Sequence, residues 1–470
     1  MNNQRIENIL MLLLLVPLLF AGCVVVGPDY VPPDPAAPKA WNAELSGGLT
    51  ASPLDAQTLA AWWSRLNDPV LTSLISRAVN GNLDLRSSRA RLREARARRG
   101  ISESDRYPTL DATGSASLSR SDGRESKLFK AGFDAAWEMD LFGRVQRSTE
   151  AAQADIEASR ENMRDVLVSL SAEVALNYVE VRLYQTRLAI AEKSRKAQEE
   201  TYNLTLWRSE AGLTGSLDVE RAKSNLEETR SSIPSLQAGL EQAMNRLALL
   251  LGKKPGSLHE ELSQTAPVPV APVEIAVGVP AEALRRIPAV RQAERRLAAQ
   301  TARVAAANAQ RYPTFGLTGS IGLESLTLND LFTSATQILR IGSNITWPLF
   351  DAGRIRQNVE VQDALLEQAV IEYERAVLTA LKDVEDALVA YAKEQVRRQH
   401  LEEASQAAQR AEALAESQYS AGLIDFQAVL DAQRSTLSLQ NQLAASDSEV
   451  TSSLIRLYKA LGGGWIPLFS

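Results

Sequence analysis

Residues 106–119 read RYPTLDATGSASLS, and residues 311–324 read RYPTFGLTGSIGLE. The same Arg-Tyr-Pro-Thr opens both stretches, 205 positions apart, and apolar and polar residues then alternate. A period of two sends successive side chains to opposite faces of a strand. Leu110, Ala112, Gly114, Ala116 and Leu118 thus share one face, with Asp111, Thr113, Ser115, Ser117 and Ser119 on the other. In the later stretch Phe315, Leu317, Gly319, Ile321 and Leu323 oppose Thr314, Thr318, Ser320 and Glu324. Recurrence of a whole patterned stretch marks an internal duplication.

Downstream, Gly143-Arg144 returns as Gly353-Arg354, Ala211-Gly212-Leu213 as Ala421-Gly422-Leu423, and Leu251-Gly252 as Leu461-Gly462, all 210 positions later. The second copy therefore carries five more residues between its Pro and its Gly-Arg, a difference that a loop absorbs most readily. A second alternating run follows the first in each copy, through Phe129, Phe133 and Trp137, and through Leu339, Ile341, Ile345 and Trp347. Four strands are expected, at about 109–121, 128–141, 314–324 and 337–349, the length that crosses a bilayer at a tilt. Four strands leave two open edges, which lipid cannot satisfy, so other subunits must complete a barrel. Three chains would give twelve strands and two chains eight, and both are even.

Between Arg144 and Ala211, and again between Arg354 and Ala421, neither Gly nor Pro occurs. Such runs predict helices of about 100 Å at 1.5 Å per residue. Leu167, Val174, Val181 and Leu188 recur every seven residues, with Met163, Leu170 and Tyr184 on a companion seam that Asn177 interrupts. Gly212 and Gly422 end these helices, return arms run to Leu251 and Leu461, and Asp425 is a candidate N-cap. Each half thus holds a long helical hairpin, and Pro234 and Gly239 predict a kink in the first return arm. A Pro- and Val-rich connector, 253–286, joins the first repeat, 69–252, to the second, 287–462, and 463–470 form a tail.

With 470 residues, 6% aromatic content and a net charge of -6, the chain suggests extended helical architecture and no nucleic-acid partner. One cysteine cannot form an internal disulfide, and two histidines, His259 and His400, make no zinc cluster; no metal, other cofactor or catalytic residue is expected. Ile9 to Phe20 is an apolar run too short to span a bilayer and reads as the core of a signal peptide, residues 1–22. Phe20-Ala21-Gly22-Cys23 resembles a bacterial lipoprotein cleavage box, which implies N-acyl and S-diacylglycerol lipid on Cys23. Residues 23–68 then read as the lipid anchor and an extended tether, stiffened by the prolines of 24–38. Val24 after the cysteine implies, by the same resemblance, sorting to the outer membrane.

Together these features resemble the TolC-like outer-membrane factors, and more closely the lipoprotein branch of resistance-nodulation-division efflux systems, the NodT/OprM-like outer-membrane efflux lipoproteins. The resemblance covers essentially the mature chain. It rests on Cys23 with Gly27-Pro28-Asp29-Tyr30, Trp62-Trp63 with Asp68-Pro69, Asn82-Leu83-Asp84-Leu85, both Tyr-Pro strand starts, and Leu430-Asp431-Ala432-Gln433. Leu66 stands where the family commonly has an aromatic residue.

The fold implied is mainly α with a transmembrane β-barrel: a trimer forming a 12-stranded β-barrel and a periplasmic α-helical tunnel. The function implied is the outer-membrane channel of a tripartite efflux pump, a gated passive duct for drugs or other small molecules and not an enzyme. Its partners would be two further copies, a periplasmic adaptor, an inner-membrane resistance-nodulation-division pump and outer-membrane lipid. The tips at Gly212, Leu213, Gly422 and Leu423 match the turns that dock the adaptor. Asp425 and Asp431 fall where the family narrows to a gate, and Gln427 occupies a position that can hold an apolar gate residue. Acidic rings at such a constriction filter ions by charge. Two other readings stand beside this one: a duct for type I protein secretion or metal efflux, and a lipid-anchored structural coiled-coil envelope protein, which leaves the alternating strands unexplained.

Overall fold

The computed structural model describes residues 25–34, 37–53, 55–270 and 274–465. Cys23 and the apolar run at 9–20 lie outside the described residues. In chain order the elements are β1 (Leu49–Thr50), α1 (Ala56–Ala60), a short 3-10 turn (Trp62–Leu66), α2 (Pro69–Gly81), α3 (Leu83–Ser104), β2 (Thr109–Ser121), β3 (Arg124–Met139), α4 (Arg144–Glu210) and α5 (Ser216–Leu250). There follow α6 (His259–Leu262), β4 (Ile275–Ala276), α7 (Pro280–Arg286), α8 (Pro288–Ala309), β5 (Thr314–Ser325), β6 (Gln337–Thr346), α9 (Arg354–Ser420) and α10 (Phe426–Ala460). The long helices α4 and α9 have 67 residues each and the return arms α5 and α10 have 35 each, so the two hairpins match in length.

The chain divides into two compact units. One gathers Ala90–Arg160 and Gln292–Arg375 with the segment up to Asp34; the other gathers Pro35–Arg89, Glu161–Arg291 and Ala376–Ser470.

The first unit holds an antiparallel sheet in the order β2-β3-β5-β6. Its register sets Ala112 beside Phe133, Phe133 beside Ile321, and Ile321 beside Leu339, so the apolar positions of all four strands fall on one face. That face is open, with Phe133 53%, Ile321 60%, Leu339 70% and Ile341 76% exposed. On the opposite face Thr113 donates to Asp134 at 2.7 Å, and Glu324 on β5 pairs with Lys130 on β3 (3.2 Å) and Arg340 on β6 (3.1 Å). A two-residue turn, Asp122-Gly123, joins β2 to β3 with φ positive at both residues, as a type I′ turn requires. The β5–β6 connection runs instead from 326 to 336, and this is where the second copy lengthens its hairpin. Below the sheet, Ala154 of α4 meets Ala298 and Ala299 of α8, small residues that let two helices approach closely. Asp29 and Tyr30 fasten the incoming segment: Arg147 donates to Asp29 at 2.9 Å and Tyr30 donates to Glu294 at 3.1 Å.

The second unit explains most of the remaining sequence landmarks. Asp68 caps α2 by accepting from the N–H groups of Val70 and Leu71, with Pro69 at the helix start. Its other oxygen accepts from the Tyr178 hydroxyl at 2.7 Å, and Arg182 donates to the same hydroxyl at 2.9 and 3.0 Å. Trp62 is fully buried, stacked on Tyr458 with centroids 5.5 Å apart. Asn82 accepts from the Leu85 N–H and donates to the Leu250 carbonyl, tying the start of α3 to the end of α5.

Several expectations need correction. Residues 23–68 are not simply an extended tether, because 56–66 coil into α1 and the Trp62 turn, whose indoles need a core. The connector 253–286 contains two short helices, and its Ile275–Ala276 pairs in parallel with Leu49–Thr50. Strand β3 starts at Arg124, four residues before the expected start, because the tight turn lets pairing continue to Ser121. Strand β6 stops at Thr346 since Pro348 has no N–H to offer a ladder. Helix α5 continues past Pro234, and Gly239 has a packing role beyond the expected one: an added Cβ there would collide with the ring of Tyr184. Asn177 interrupts the companion seam as expected, accepting from Arg246 of α5 at 3.1 Å, one heptad before Tyr184 meets Gly239.

Candidate functional site

The two hairpin tips lie in the second unit. Helix α4 ends with the N–H of Gly212 on the Ser209 carbonyl (3.0 Å) and that of Leu213 on the Arg208 carbonyl (2.8 Å). Helix α9 repeats this with Gly422 on Tyr419 and Leu423 on Gln418, both at 2.9 Å. These paired bonds are the Schellman ending, and its left-handed residue is the glycine in each copy, at φ 72° and 76°. The motif throws the next residue outward, leaving Leu213 69% and Leu423 74% exposed. Two apolar side chains are thus held on rigid turns with no core to enter.

The tips differ one step later. Asp425 caps α10 by accepting from the Ala428 N–H at 3.1 Å, whereas Gly215 starts α5 with no side-chain cap. Gln427 donates to Asp431 at 2.9 Å, one helical turn on, and all three of these polar residues are exposed. The structure therefore groups Asp425, Gln427 and Asp431 on the first turns of α10, with Gly422 and Leu423 just before them.

Behind this polar edge is a small core of Ala222, Tyr419, Phe426, Val429 and Leu430. Gln433, buried, donates to Thr201 at 2.9 Å and to Glu416 at 3.0 Å, so the Leu430-to-Gln433 motif anchors α10 to both long helices. Arg208 was missed by sequence reasoning. It donates to the Tyr419 carbonyl at 2.7 Å and lies over the Tyr419 ring, 4.7 Å from its centre. Only its position, four residues before Gly212, hinted at this, because the duplicated position is Gln418 and the contact has no twin. Glu412, two turns before the end of α9, is pushed above the usual carboxylate range by burial, with the Thr436 hydroxyl opposing the rise, Glu416 adding to it and Lys193 opposing it. No group of three or more His, Cys, Asp or Glu positioned to hold a metal exists among the described residues.

An open apolar sheet face, paired 67-residue helices and duplicated tips describe one architecture, and the comparisons with known proteins agree. The model of the family described as outer membrane efflux protein matches residues 74–253 and 279–463, one stretch for each half of the duplication. The chain belongs to the outer membrane efflux protein family. Among curated relatives, nodulation protein T of Rhizobium leguminosarum bv. trifolii is 32% identical to this efflux protein over 461 residues, 96% of each chain. The cation efflux system protein CusC of Escherichia coli is also 32% identical, covering 96% of this chain and 97% of its own. The solved outer-membrane channel OprN superposes with a TM-score of 0.88 at 36% identity, over 94% of this efflux protein and 100% of the OprN chain.

Proposed function

We propose that this chain is the outer-membrane channel subunit of a tripartite efflux system, three copies of which close a twelve-stranded barrel continued by a conduit of helices. The observation that carries the reading is the four-stranded sheet, whose apolar face is exposed and whose two edges are unpaired among the described residues. Water does not favour such a face and lipid does not tolerate such edges. Both are satisfied at once if the strands cross a membrane and pair with the next copy. Trp137 and Trp347 support the placement: each indole N–H donates to a backbone carbonyl, of Arg106 and Arg311, at the strand ends, the level at which aromatic girdles sit.

In this reading acyl chains on Cys23 add a second anchor in the outer membrane, and no chemical step is catalysed. Leu213 and Leu423, fixed by Gly212 and Gly422, present apolar knobs to a periplasmic adaptor that links the duct to an inner-membrane pump. Threefold symmetry would turn Asp425 and Asp431 into acidic rings, with Gln427 holding Asp431 in place. CusC is named for cations, yet nodulation protein T stands at the same 32% identity, so we assign a duct and leave its cargo to the pump.

Native mass spectrometry of the full chain extracted from membranes in detergent tests this. A trimer of acylated chains starting at Cys23 is the expected result. A lipidated monomer would overturn the duct and favour an anchored coiled-coil protein.

A further inference from the structure

The two indole bonds at the foot of the sheet mark a matched pair of positions. Trp137 donates to the carbonyl of Arg106 at 3.0 Å, and Trp347 to that of Arg311 at 3.1 Å. Trp137 continues the alternation of Phe133 on β3, and Trp347 that of Ile341 and Ile345 on β6, so both indoles belong to the apolar face. The backbone of each arginine is thereby held at the edge of that face. An exposed tyrosine, Tyr107 or Tyr312, follows each arginine. Both halves of the duplication thus end their strands in the same set of Trp, Tyr and Arg.

The aromatic members suit the boundary between hydrocarbon and water. The arginines add a charge that the chain leaves open. Both side chains are exposed, and neither Arg106 nor Arg311 has an ion-pair partner among the described residues. Three carboxylates at this end are engaged elsewhere: Glu138 with Arg144 at 3.0 Å, Asp140 with the N–H of Gln146 at 2.7 Å, and Asp351 with the N–H groups of Gly353 and Ile355 at 2.9 and 2.8 Å. The two arginines differ in their neighbours. Asp105 precedes Arg106, whereas the neutral Gln310 precedes Arg311 and accepts from Asn358 at 3.5 Å.

A guanidinium at headgroup depth, beside aromatic rings and without a carboxylate of its own, matches a phosphodiester, since its planar fork donates to two phosphate oxygens at once. Resting on the reading of the sheet as part of a membrane barrel, we propose that Arg106 and Arg311 bind the phosphate of anionic phospholipid headgroups, Arg311 the more strongly. In that reading the strands run into helices at this end, so the lipid belongs to the periplasm-facing leaflet. Each copy then carries two headgroup sites, one per repeat.

Full-length protein in detergent, supplied with equal amounts of phosphatidylglycerol and phosphatidylethanolamine of matched acyl chains, tests the sites by native mass spectrometry, which separates the two lipids by mass. Wild type should retain phosphatidylglycerol in preference. Arg311→Gln should cut that preference about fivefold, Arg106→Gln by less, and the two together should abolish it. Arg311→Lys, which keeps the charge, should preserve most of it. These substitutions leave the backbone carbonyls that receive the indoles, so quenching of tryptophan emission by brominated acyl chains in reconstituted vesicles should be the same in wild type and variants.

An unchanged lipid preference in the double variant overturns the two sites and leaves the barrel standing. Loss of the wild-type preference on adding inorganic phosphate would show a general anion site and overturns the lipid assignment. Wild-type emission that brominated chains of neither lipid quench removes the membrane reading, and the sites with it.

Discussion

The guanidinium of Arg208 lies 4.7 Å from the centre of the Tyr419 ring and donates a 2.7 Å hydrogen bond to the carbonyl of the same residue. It thereby ties the last turn of α4 to the last turn of α9. A planar cation that both stacks and donates is not replaced by a lysine. Arg208→Ala is expected to cost about 1–2 kcal/mol locally and to raise hydrogen exchange at 209–214 and 419–424, and Arg208→Lys should not restore protection. Unchanged exchange at both tips in the alanine variant would show that the contact carries no weight.

Asp68 has two duties, capping α2 and receiving the Tyr178 hydroxyl. Asp68→Ala should lower thermal stability by about 2–3 kcal/mol, more than an ordinary cap, because a buried phenol loses its acceptor as well. Asp68→Asn keeps one acceptor for the cap but turns an N–H donor toward the phenol, so it should recover only part of the loss, and calorimetry of the three proteins decides it.

Burial, the largest cause, pushes the Tyr178 hydroxyl up to about 12, with the bond to Asp68 adding to the rise and Arg182 opposing it. The neutral phenol is thus favoured in the folded state. Its contribution is complete below the ordinary tyrosine value near 10 and is lost as pH climbs from there towards about 12. Tyr178→Phe should flatten that part of the alkaline unfolding profile, read by near-ultraviolet circular dichroism.

Glu412 gives the opposite test in the acid range. Its carboxyl is raised by burial, so the folded protein favours the protonated form and loses stability as pH rises above the ordinary carboxylate range. Glu412→Gln should therefore melt a few degrees higher than wild type at pH 7, with the gap closing near pH 4. An equal gap at both pH values would mean that charge is not the cause.

Gly239→Ala should destabilise α5 even though alanine favours helix by about 1 kcal/mol over glycine. The reason is the Tyr184 ring, already where a new Cβ would go. Pairing it with Tyr184→Ala should expose the helix-propensity gain as a positive coupling in a double-mutant cycle.

The residues that were legible in advance were those whose meaning is local. Alternation placed the strands to within a few residues, and glycines marked both tips because a left-handed turn has few other tenants. The 67-residue helices showed themselves by the absence of any breaker. What escaped notice depends on contacts between distant segments. Nothing near Asn177 announces Arg246, nothing near Gly239 announces Tyr184, and the two-residue pairing of Leu49 with Ile275 is too short to leave a pattern. At the tips, Gly212 and Gly422 could be read, yet Arg208 could not, since its contact with Tyr419 exists in only one copy of the repeat.

The unequal hairpin connections have a practical consequence. Asp122-Gly123 has no slack, because both residues are in positive φ and the ladder closes immediately at Ser121 and Arg124. The stretch from Leu326 to Thr336 bears no such constraint at its exposed Leu328 and Phe332. An epitope or fluorescent-label insertion placed there should be accepted, while the same insertion at Gly123 should break the β2–β3 pairing, giving one addressable handle per chain.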